Sequence, residues 1–243
     1  MFSTAVTDHW LAGLAPADLP AAPGTYRVVV DADLPASRRF SVLDPTGTGG
    51  VVRATPQVAA ALRLVDGGTV GSAALTAALA SAGIALNGAD HVFHLPVAAL
   101  DVLRASAPDP DVRVLTAADA DAFAAFAAAA PEDDLDEAYI ELDHWLVVGA
   151  FVASADGPRL VSAASTYPWA GTTLADTGVL TLPGHRGRGL GRRTVLALAA
   201  HALRRGHEPL YRCQLDNAAS VGLARAAGFV PLATWDVVHP DAD

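Results

Sequence analysis

The chain has 243 residues, which is long enough to bury a hydrophobic core as one large domain or two small ones. Its formal net charge of −10 argues against wrapping nucleic acid or binding an anionic membrane surface, and is compatible with attracting a cationic substrate. A single cysteine, Cys213, excludes an intrachain disulfide and a thiolate-rich zinc site.

The N-terminal half is predicted to be a small α+β domain. Residues 1–14 contain Asp8 and no Lys or Arg, so they lack the basic segment of a secretory signal, and we expect a cytoplasmic protein. The predicted elements that follow are strands at residues 26–31, 40–44 and 91–95, a loop at residues 47–50, and helices at residues 56–63, 72–82 and 97–104. Thr55 with Pro56 is the predicted N-cap of the first helix, and Gly83 is predicted to end the second. His91 and His94 lie three residues apart on a strand, so they face opposite sides of it, which favours a structural role over metal binding.

A domain boundary is predicted where the chain is rich in proline and acidic residues. The stretch at residues 105–111 contains Pro108 and Pro110 alternating with Asp109 and Asp111, and this composition interrupts regular structure. We therefore expect an N-terminal domain of unknown role at residues 1–108 and a second domain at residues 109–243.

The second half alternates between strands and helices. A capping box at Thr116 and Asp119 begins an alanine-rich helix, and a turn at residues 155–158 predicts a hairpin. The predicted strands are at residues 112–115, 145–152, 159–167, 177–182, 210–214 and 229–238, and the predicted helices at residues 116–130, 131–141, 191–205 and 217–228. This order favours an α/β fold with a mixed sheet and helices on both of its faces.

One loop of this half, between a strand and a helix, combines glycines with arginines. Its glycines let backbone amides turn inward, and the helix that follows presents unpaired N–H groups and the positive end of its dipole. Arg186, Arg188, Arg192 and Arg193 place four of the chain's 16 basic side chains within eight residues, where an average stretch would hold about half of one. The loop is predicted to bind a polyanion.

Spacing decides which phosphate motif this loop resembles. A Walker loop needs Lys and Ser or Thr after its last glycine, but Leu190 follows Gly189. A dinucleotide fingerprint that starts at Gly187 or Gly189 would need its third glycine at a position that is not glycine. What remains is the pattern R-x-x-G-x-G, at Arg186, Gly189 and Gly191. A solvated arginine loop, with glycines used only for turning, is the alternative.

Two motifs resemble the GNAT superfamily of N-acetyltransferases. The first is R-x-x-G-x-G between a strand that ends at Pro183 and an amphipathic helix. The second is the pattern N-x-x-S-x-x-L-x-x-x-x-G-F, which begins at Asn217 and ends at Phe229. Either motif alone is moderately specific, and both in order are a strong signal. The resemblance covers roughly residues 112–238 and leaves the first hundred residues without a counterpart.

The resemblance implies acetyl-CoA as co-substrate and no metal. Backbone groups of Val179, Leu180 and Thr181 would bind the pantetheine arm. The pyrophosphate would be held by Arg186, Gly187, Arg188, Gly189, Leu190, Gly191 and Arg192. Asn217 would contact the pantetheine near the thioester, although capping of the following helix explains this residue equally well. Ser220 is the serine of the second motif and belongs to the same implied coenzyme site.

Catalysis in such a fold would be direct attack of a neutral amine on the thioester, so a group must remove the proton of the ammonium. The candidate bases are Asp176 and Glu141, for each of which a solvated turn carboxylate is the alternative. Ala224 stands where the family often has a tyrosine that protonates the leaving thiolate, so Tyr211 or a water would substitute, or the thiolate would leave unassisted. The acceptor pocket is predicted at residues 137–145 and 167–169, although Trp145 is better explained as a core residue.

The function that follows from the resemblance is an acetyl-CoA-dependent N-acyltransferase acting on a primary amine of a small molecule or peptide. A non-catalytic acyl-CoA sensor or partner-binding module is the first alternative, which the missing tyrosine favours. A transferase for a longer acyl group or an oxygen acceptor is the second. The sequence leaves open whether the chain forms a homodimer.

Overall fold

A computed structural model describes residues 1–11, 14–45, 48–155, 157–169 and 171–239. The chain groups into two compact units. The first unit comprises Met1–Val6, Phe93–Arg212 and Ala219–Val230, and the second comprises Thr7–Val92, Cys213–Ala218 and Pro231–Asp243. These units interleave along the chain and differ from the predicted division after residue 108, which stays a prediction.

Strands and helices alternate through the described ranges. The strands are β1 (Thr25–Val30), β2 (Phe40–Pro45), β3 (Gly50–Ala54), β4 (Thr69–Gly71), β5 (Asp90–His94), β6 (Val112–Val114), β7 (Leu146–Ser154), β8 (Gly157–Pro168), β9 (Leu174–Thr181), β10 (Glu208–Gln214) and β11 (Val230–Val237). The α-helices are α1 (Thr4–Leu11), α2 (Pro56–Ala61), α3 (Ser72–Ala82), α4 (Val97–Ala105), α5 (Ala120–Ala129), α6 (Glu132–Ala138), α7 (Leu190–Arg204) and α8 (Ala218–Ala226).

The first unit is built on the strand order β10-β9-β8-β7-β6. Strands β9 and β10 are parallel, whereas β8 pairs antiparallel with both β9 and β7, and β7 pairs antiparallel with β6. Helix α7 connects the parallel pair, as a crossover between parallel strands requires. The mixed sheet predicted for this half is confirmed.

Helices cover both faces of this sheet. One face packs Val148, Ala164 and Val161 against Leu198 and Ala202 of α7. The opposite face packs side chains of β7, β8 and β9 against α5, α6 and the segment after α6, through the residues Phe126, Ile140, Val147, Leu160, Ala163 and Leu180. Because side chains alternate along a strand, the two faces carry different residues of the same strands. This alternation fixes which side chains of β8 and β9 face α7.

The second unit has the strand order β4-β1-β3-β2-β11. Strand β1 is parallel to β3 and antiparallel to β4, and β2 is antiparallel to both β3 and β11. Its core joins strand residues such as Phe40 and Val52 to Leu62 beside α2 and to Leu75 and Leu79 of α3. It contains both helices and strands, as do the elements predicted for the first half.

Several predicted helix ends are confirmed. Thr55 caps α2 with Pro56 at its first position, and Gly83 ends α3 with a φ of 67°. The capping box of Thr116 and Asp119 is present in the single 3₁₀ turn that precedes α5. Hydrogen bonds from Arg113 and from the Thr116 backbone lower the pKa of Asp119 to about 2, so this cap stays charged near neutral pH.

Some elements differ from the prediction. Gly50, predicted to lie in a loop, begins β3, where a side chain would collide with the carbonyl oxygen of Leu43. The glycine allows two strands to approach closely, so it is a packing signal and not a turn signal. Neither α1 nor the three-residue β4 was predicted. Residue 47 of the predicted loop and residue 156 of the predicted hairpin turn lie outside the described residues.

Candidate functional site

The glycine-rich loop lies between β9 and α7, as predicted. A 3₁₀ turn at Pro183–His185 follows β9, and α7 begins at Leu190 with Gly189 as its N-cap. Gly187 and Gly189 have φ values of 73° and 76°, in the left-handed region that favours glycine. These two residues reverse the chain direction immediately before the helix.

Several backbone N–H groups of this loop have no acceptor among the residues that the structure describes. Arg193 is the first residue of α7 whose N–H is bonded, to the carbonyl oxygen of Gly189 at 3.1 Å. Within the described chain, the N–H groups of residues 187–192 have no hydrogen-bond acceptor. The loop from Arg186 to Gly189 is exposed, and it lies at the positive end of the dipole of α7. The loop therefore presents a set of free donors to solvent, which suits an anion.

The arginines are less available than the sequence indicates. Arg186 donates to the carbonyl oxygen of Thr181 at 2.9 Å and to Asp134 at 2.6 Å. Arg192 donates to the carbonyl oxygen of Ala226 at 2.7 Å.

Arg193 is held by carboxylates on the segment that was predicted to be the domain boundary. It donates to Asp109 at 2.6 Å and to Asp111 at 2.7 Å. The hydrogen bond from Arg193 lowers the pKa of Asp109, and the two carboxylates raise the pKa of Arg193. Arg186, Arg192 and Arg193 therefore have protein partners, and the prediction that the loop binds a polyanion stays a prediction. Of these four arginines, only Arg188 is exposed and has no partner among the described residues.

A buried hydroxyl network fixes the start of α7 on the sheet. The Thr194 hydroxyl lies 2.9 Å from the carbonyl oxygen of Leu190 and 3.1 Å from the hydroxyl of Ser162 on β8. Ser162 also lies 2.9 Å from the hydroxyl of Thr181, the last residue of β9. Because these hydroxyls satisfy one another in a buried position, they hold the helix N-terminus at a fixed place beside the end of β9.

The two parallel strands pair over only part of their length. Residues Leu174 to Thr177 of β9 pair with β10, and the last pair is Thr177 with Tyr211. In the described chain β9 continues to Thr181 alongside β8 but without β10. The predicted pantetheine-binding residues Val179, Leu180 and Thr181 lie on this unpaired edge. Leu180 is 4% exposed, and its side chain packs in the core on the face opposite α7.

Asn217 and Ser220, the two predicted site residues of the second motif, lie at the start of α8. The Ser220 hydroxyl lies 2.7 Å from the phenol oxygen of Tyr211, whose strand position faces Thr177. Ala224 stands where the family often has a tyrosine. It is fully buried, and an alanine side chain carries no hydroxyl. Asn217 belongs to the second unit, and its predicted contact with the coenzyme stays a prediction.

The two candidate bases occupy different environments. Asp176 is 6% exposed and accepts a hydrogen bond from Arg212 at 2.7 Å, while Arg212 also stacks on Trp169 at 4.4 Å. Tyr167 donates to the same carboxylate at 3.4 Å. Glu141 is half exposed and lies 3.6 Å from Nε2 of His144. The structure thus separates a buried, ion-paired carboxylate from an accessible one that lies beside an imidazole.

Sequence reasoning singled out neither His144 nor Tyr139, although both lie within the predicted acceptor segment at residues 137–145. Their rings approach each other at 5.2 Å, and each approaches Tyr167, at 5.3 Å for His144 and 6.2 Å for Tyr139. The available signal was a histidine that closely follows two acidic residues, Glu141 and Asp143. Trp145 packs with the core on the α7 face, in agreement with its interpretation as a core residue.

Among the described residues, no group of three or more His, Cys, Asp and Glu side chains is arranged to hold a metal ion. None of the helices in the described ranges is both long enough and apolar enough to cross a membrane.

Comparison with known proteins identifies the family. The model of the acetyltransferase (GNAT) family matches residues 90–229. A protein from Novosphingobium aromaticivorans assigned to the GNAT family is 22% identical over 64% of this chain and 66% of its own, with a TM-score of 0.47. A GNAT-family acetyltransferase from Colwellia psychrerythraea is 21% identical over 67% of this chain and 60% of its own, with a TM-score of 0.47.

A third similar structure is that of yncA from Salmonella typhimurium, solved with its cofactor acetyl-CoA. It is 18% identical over 54% of this chain and 98% of its own, with a TM-score of 0.38. This chain spans 66% and 60% of the lengths of the first two structures. A comparison with curated protein sequences finds no match. Because the matched region covers more than half of the sequence and contains the loop between β9 and α7, this chain belongs to the acetyltransferase (GNAT) family.

Proposed function

We propose that this chain transfers an acetyl group from acetyl-CoA to a primary amine of a small molecule or peptide, by direct attack of the amine in a ternary complex. The observation that carries the proposal is the row of N–H groups at residues 187–192, which have no acceptor in the described part of the chain. Backbone donors at a helix N-terminus suit a pyrophosphate, since several of them can point at one anion without cost to their own hydrogen bonding.

The neighbouring residues fit the rest of the coenzyme. The edge of β9 beyond Thr177 offers backbone groups to the amides of a pantetheine arm, in the manner of an added strand. Arg188 is exposed beside the loop and supplies a positive charge to the phosphates. When bound, the coenzyme supplies a thioester from which the acetyl group is transferred.

In this proposal the protein acts mainly by positioning two reactants. The network of Ser162, Thr181 and Thr194 fixes the loop that holds the coenzyme. The bound reactants therefore lose less entropy on reaching the transition state. Of the two candidate carboxylates, Glu141 is accessible to an ammonium group, whereas the ion pair with Arg212 supports a structural role for Asp176. A cytoplasmic location and the absence of nucleic-acid and membrane partners stay predictions.

One observation favours a second candidate function, a non-catalytic acyl-CoA sensor. Ala224 is buried where the family often has its proton donor, so the departing thiolate has no phenol from α8. Coenzyme A is a fairly acidic thiol, and its thiolate leaves without obligatory protonation. The sensor would bind acetyl-CoA as tightly as an enzyme would, but it would transfer the acetyl group to no amine.

A transfer assay separates these functions. Purified protein is incubated with acetyl-CoA and n-butylamine, 1,4-diaminobutane, tyramine, tryptamine or an alanine-initiated tripeptide, and products are identified by mass spectrometry. The chain contains no lysine, so its own side chains give no acetyl-lysine background. We expect at least one acetylated amine and acetyl-CoA binding by calorimetry. Binding without transfer would support the sensor, and no binding would contradict both functions.

A further inference from the structure

Three aromatic rings form a cluster on the sheet face opposite α7. Tyr139 follows α6, His144 precedes β7, and Tyr167 lies near the end of β8. The three ring centroids are 5.2 to 6.2 Å apart, and the planes are inclined to one another at 55° to 90°. Ile140 and Leu142 lie between Tyr139 and His144 in the sequence. Both pack into the core of this face, so the segment is fixed in place.

The cluster lies where β9 and β10 stop pairing. Nδ1 of His144 is 2.8 Å from the hydroxyl of Ser165, and Ser165 pairs in register with Gly178 of β9. The last residue of β9 that pairs with β10 is Thr177, the immediate neighbour of Gly178. A thioester arm on the free edge of β9 would therefore end close to the cluster.

One imidazole nitrogen is available as a proton acceptor. When Nδ1 carries the hydrogen and donates to Ser165, Nε2 keeps its lone pair. The nearest charged atom to Nε2 is a carboxylate oxygen of Glu141, at 3.6 Å, which is longer than a hydrogen bond. The His144 side chain is 11% exposed and that of Glu141 52% exposed, so the space between them opens to solvent.

The tyrosines suit an ammonium group beside this nitrogen. Tyr139 has a φ of 44°, a conformation that a non-glycine residue adopts at a cost, and its side chain is 56% exposed. Burial, with a contribution from Asp176, raises the pKa of Tyr167 to about 12, so this phenol is neutral in the physiological range. Neutral phenol rings attract a cation placed near their faces.

We propose that His144 is the general base of the transfer reaction, with Nε2 taking a proton from an ammonium group held by the Glu141 carboxylate and by the rings of Tyr139 and Tyr167. The inference deepens the proposed function and rests on it. It also defines the acceptor class as a protonated primary amine with no acidic group next to the nitrogen. A carboxylate on the substrate at that position would be repelled by the carboxylate of Glu141.

The proposed step balances in protons and electrons. Nε2 of His144 receives one proton from the ammonium group, which leaves a neutral amine whose lone pair forms the new C–N bond. The C–S bond breaks and its electron pair leaves with sulfur. A second proton passes from the attacking nitrogen to the thiolate, and the imidazolium returns its proton to water. The products are an amide, coenzyme A and one released proton.

The charges around His144 come from several elements. Glu141 and Tyr139 lie on the segment after α6, Tyr167 lies on β8, and Asp176 on β9 contacts Tyr167 and Arg212. Glu141 is the carboxylate next to the imidazole. A pH dependence of the rate is therefore assigned to His144 by substitution.

The test compares His144→Gln with the wild type, using the amine of the transfer assay that the wild type acetylates fastest. We expect wild-type kcat/KM to rise with pH and then to reach a plateau, as general-base catalysis requires. In His144→Gln the plateau disappears and kcat at pH 7 falls by roughly 100-fold, with acetyl-CoA affinity unchanged. The control is His207→Gln, a histidine that stacks on Trp145 on the other face, and it should keep the plateau.

A second pair of variants does not depend on the fold tolerating a change at His144. Because Tyr139 is exposed, Tyr139→Leu should fold and should raise KM for the amine by about 5-fold at unchanged kcat, whereas Tyr139→Phe should keep KM. An unchanged pH profile in His144→Gln, or equal KM in both Tyr139 variants, would overturn the inference and leave the proposed function intact. If no amine is acetylated by the wild type, the proposed function itself fails.

Discussion

Replacing Gly189 by valine is expected to weaken acetyl-CoA binding by at least about ten-fold, as measured by calorimetry. Gly189 has a φ of 76° at the N-cap of α7, a conformation that a β-branched residue adopts only with strain. A valine at this position would shift the chain toward negative φ and turn the neighbouring N–H groups away from a shared anion. Binding should be lost without a large change in the core, because the residue is exposed.

Gly184 provides a matched control in the same loop. It is exposed, its φ is not positive, and a Cβ placed on it has no neighbour within 4 Å among the described residues. Gly184→Val should change acetyl-CoA affinity by less than about two-fold, since an unstrained exposed substitution has little effect. Equal affinities for the two variants would contradict the assignment of the loop.

Replacing Asp176 by alanine is expected to lower the free energy of unfolding by about 3 kcal/mol, because it leaves the guanidinium of Arg212 without its carboxylate in a mostly buried position. The Asp176 side chain is 8% exposed and that of Arg212 21% exposed, and their atoms are 2.7 Å apart. The hydroxyl of Tyr167 and the backbone N–H of Thr177 lose an acceptor in the same variant. Urea unfolding at neutral pH measures the effect.

Glu141→Ala is the comparison for this experiment. Its side chain is 52% exposed, so the free energy of unfolding should change by less than about 0.5 kcal/mol. If Asp176→Ala instead unfolds like the wild type and loses only kcat, Asp176 is a catalytic base and not a structural ion pair. The free energy of unfolding and kcat, measured for both variants, therefore distinguish the roles of Asp176 and Glu141.

Sequence patterns predict much of the fold because its signals are local. Thr55 with Pro56, and Thr116 with Asp119, are caps formed by neighbouring residues, and both are confirmed. Strand β3 was missed because Gly50 serves a close approach to Leu43, a contact between residues on different strands. Close approach and turning use the same residue type, and one sequence does not distinguish them.

The candidate site divides in the same way. The strand, the loop and the helix that follows it are local, and the structure brings them together as predicted. The partners of the arginines are not local, since Arg186 meets Asp134 and Arg193 meets Asp109. The cluster of His144 with Tyr167 depends on the pairing of β7 with β8, which places residues 23 positions apart in contact.

The most direct test of the central claim is a crystal structure of the protein with acetyl-CoA. We expect pyrophosphate oxygens within about 3.2 Å of backbone nitrogens among residues 187–192, and the pantetheine arm along β9 beyond Thr177. A pyrophosphate bound elsewhere, with these nitrogens hydrated or bonded to protein, would contradict the account.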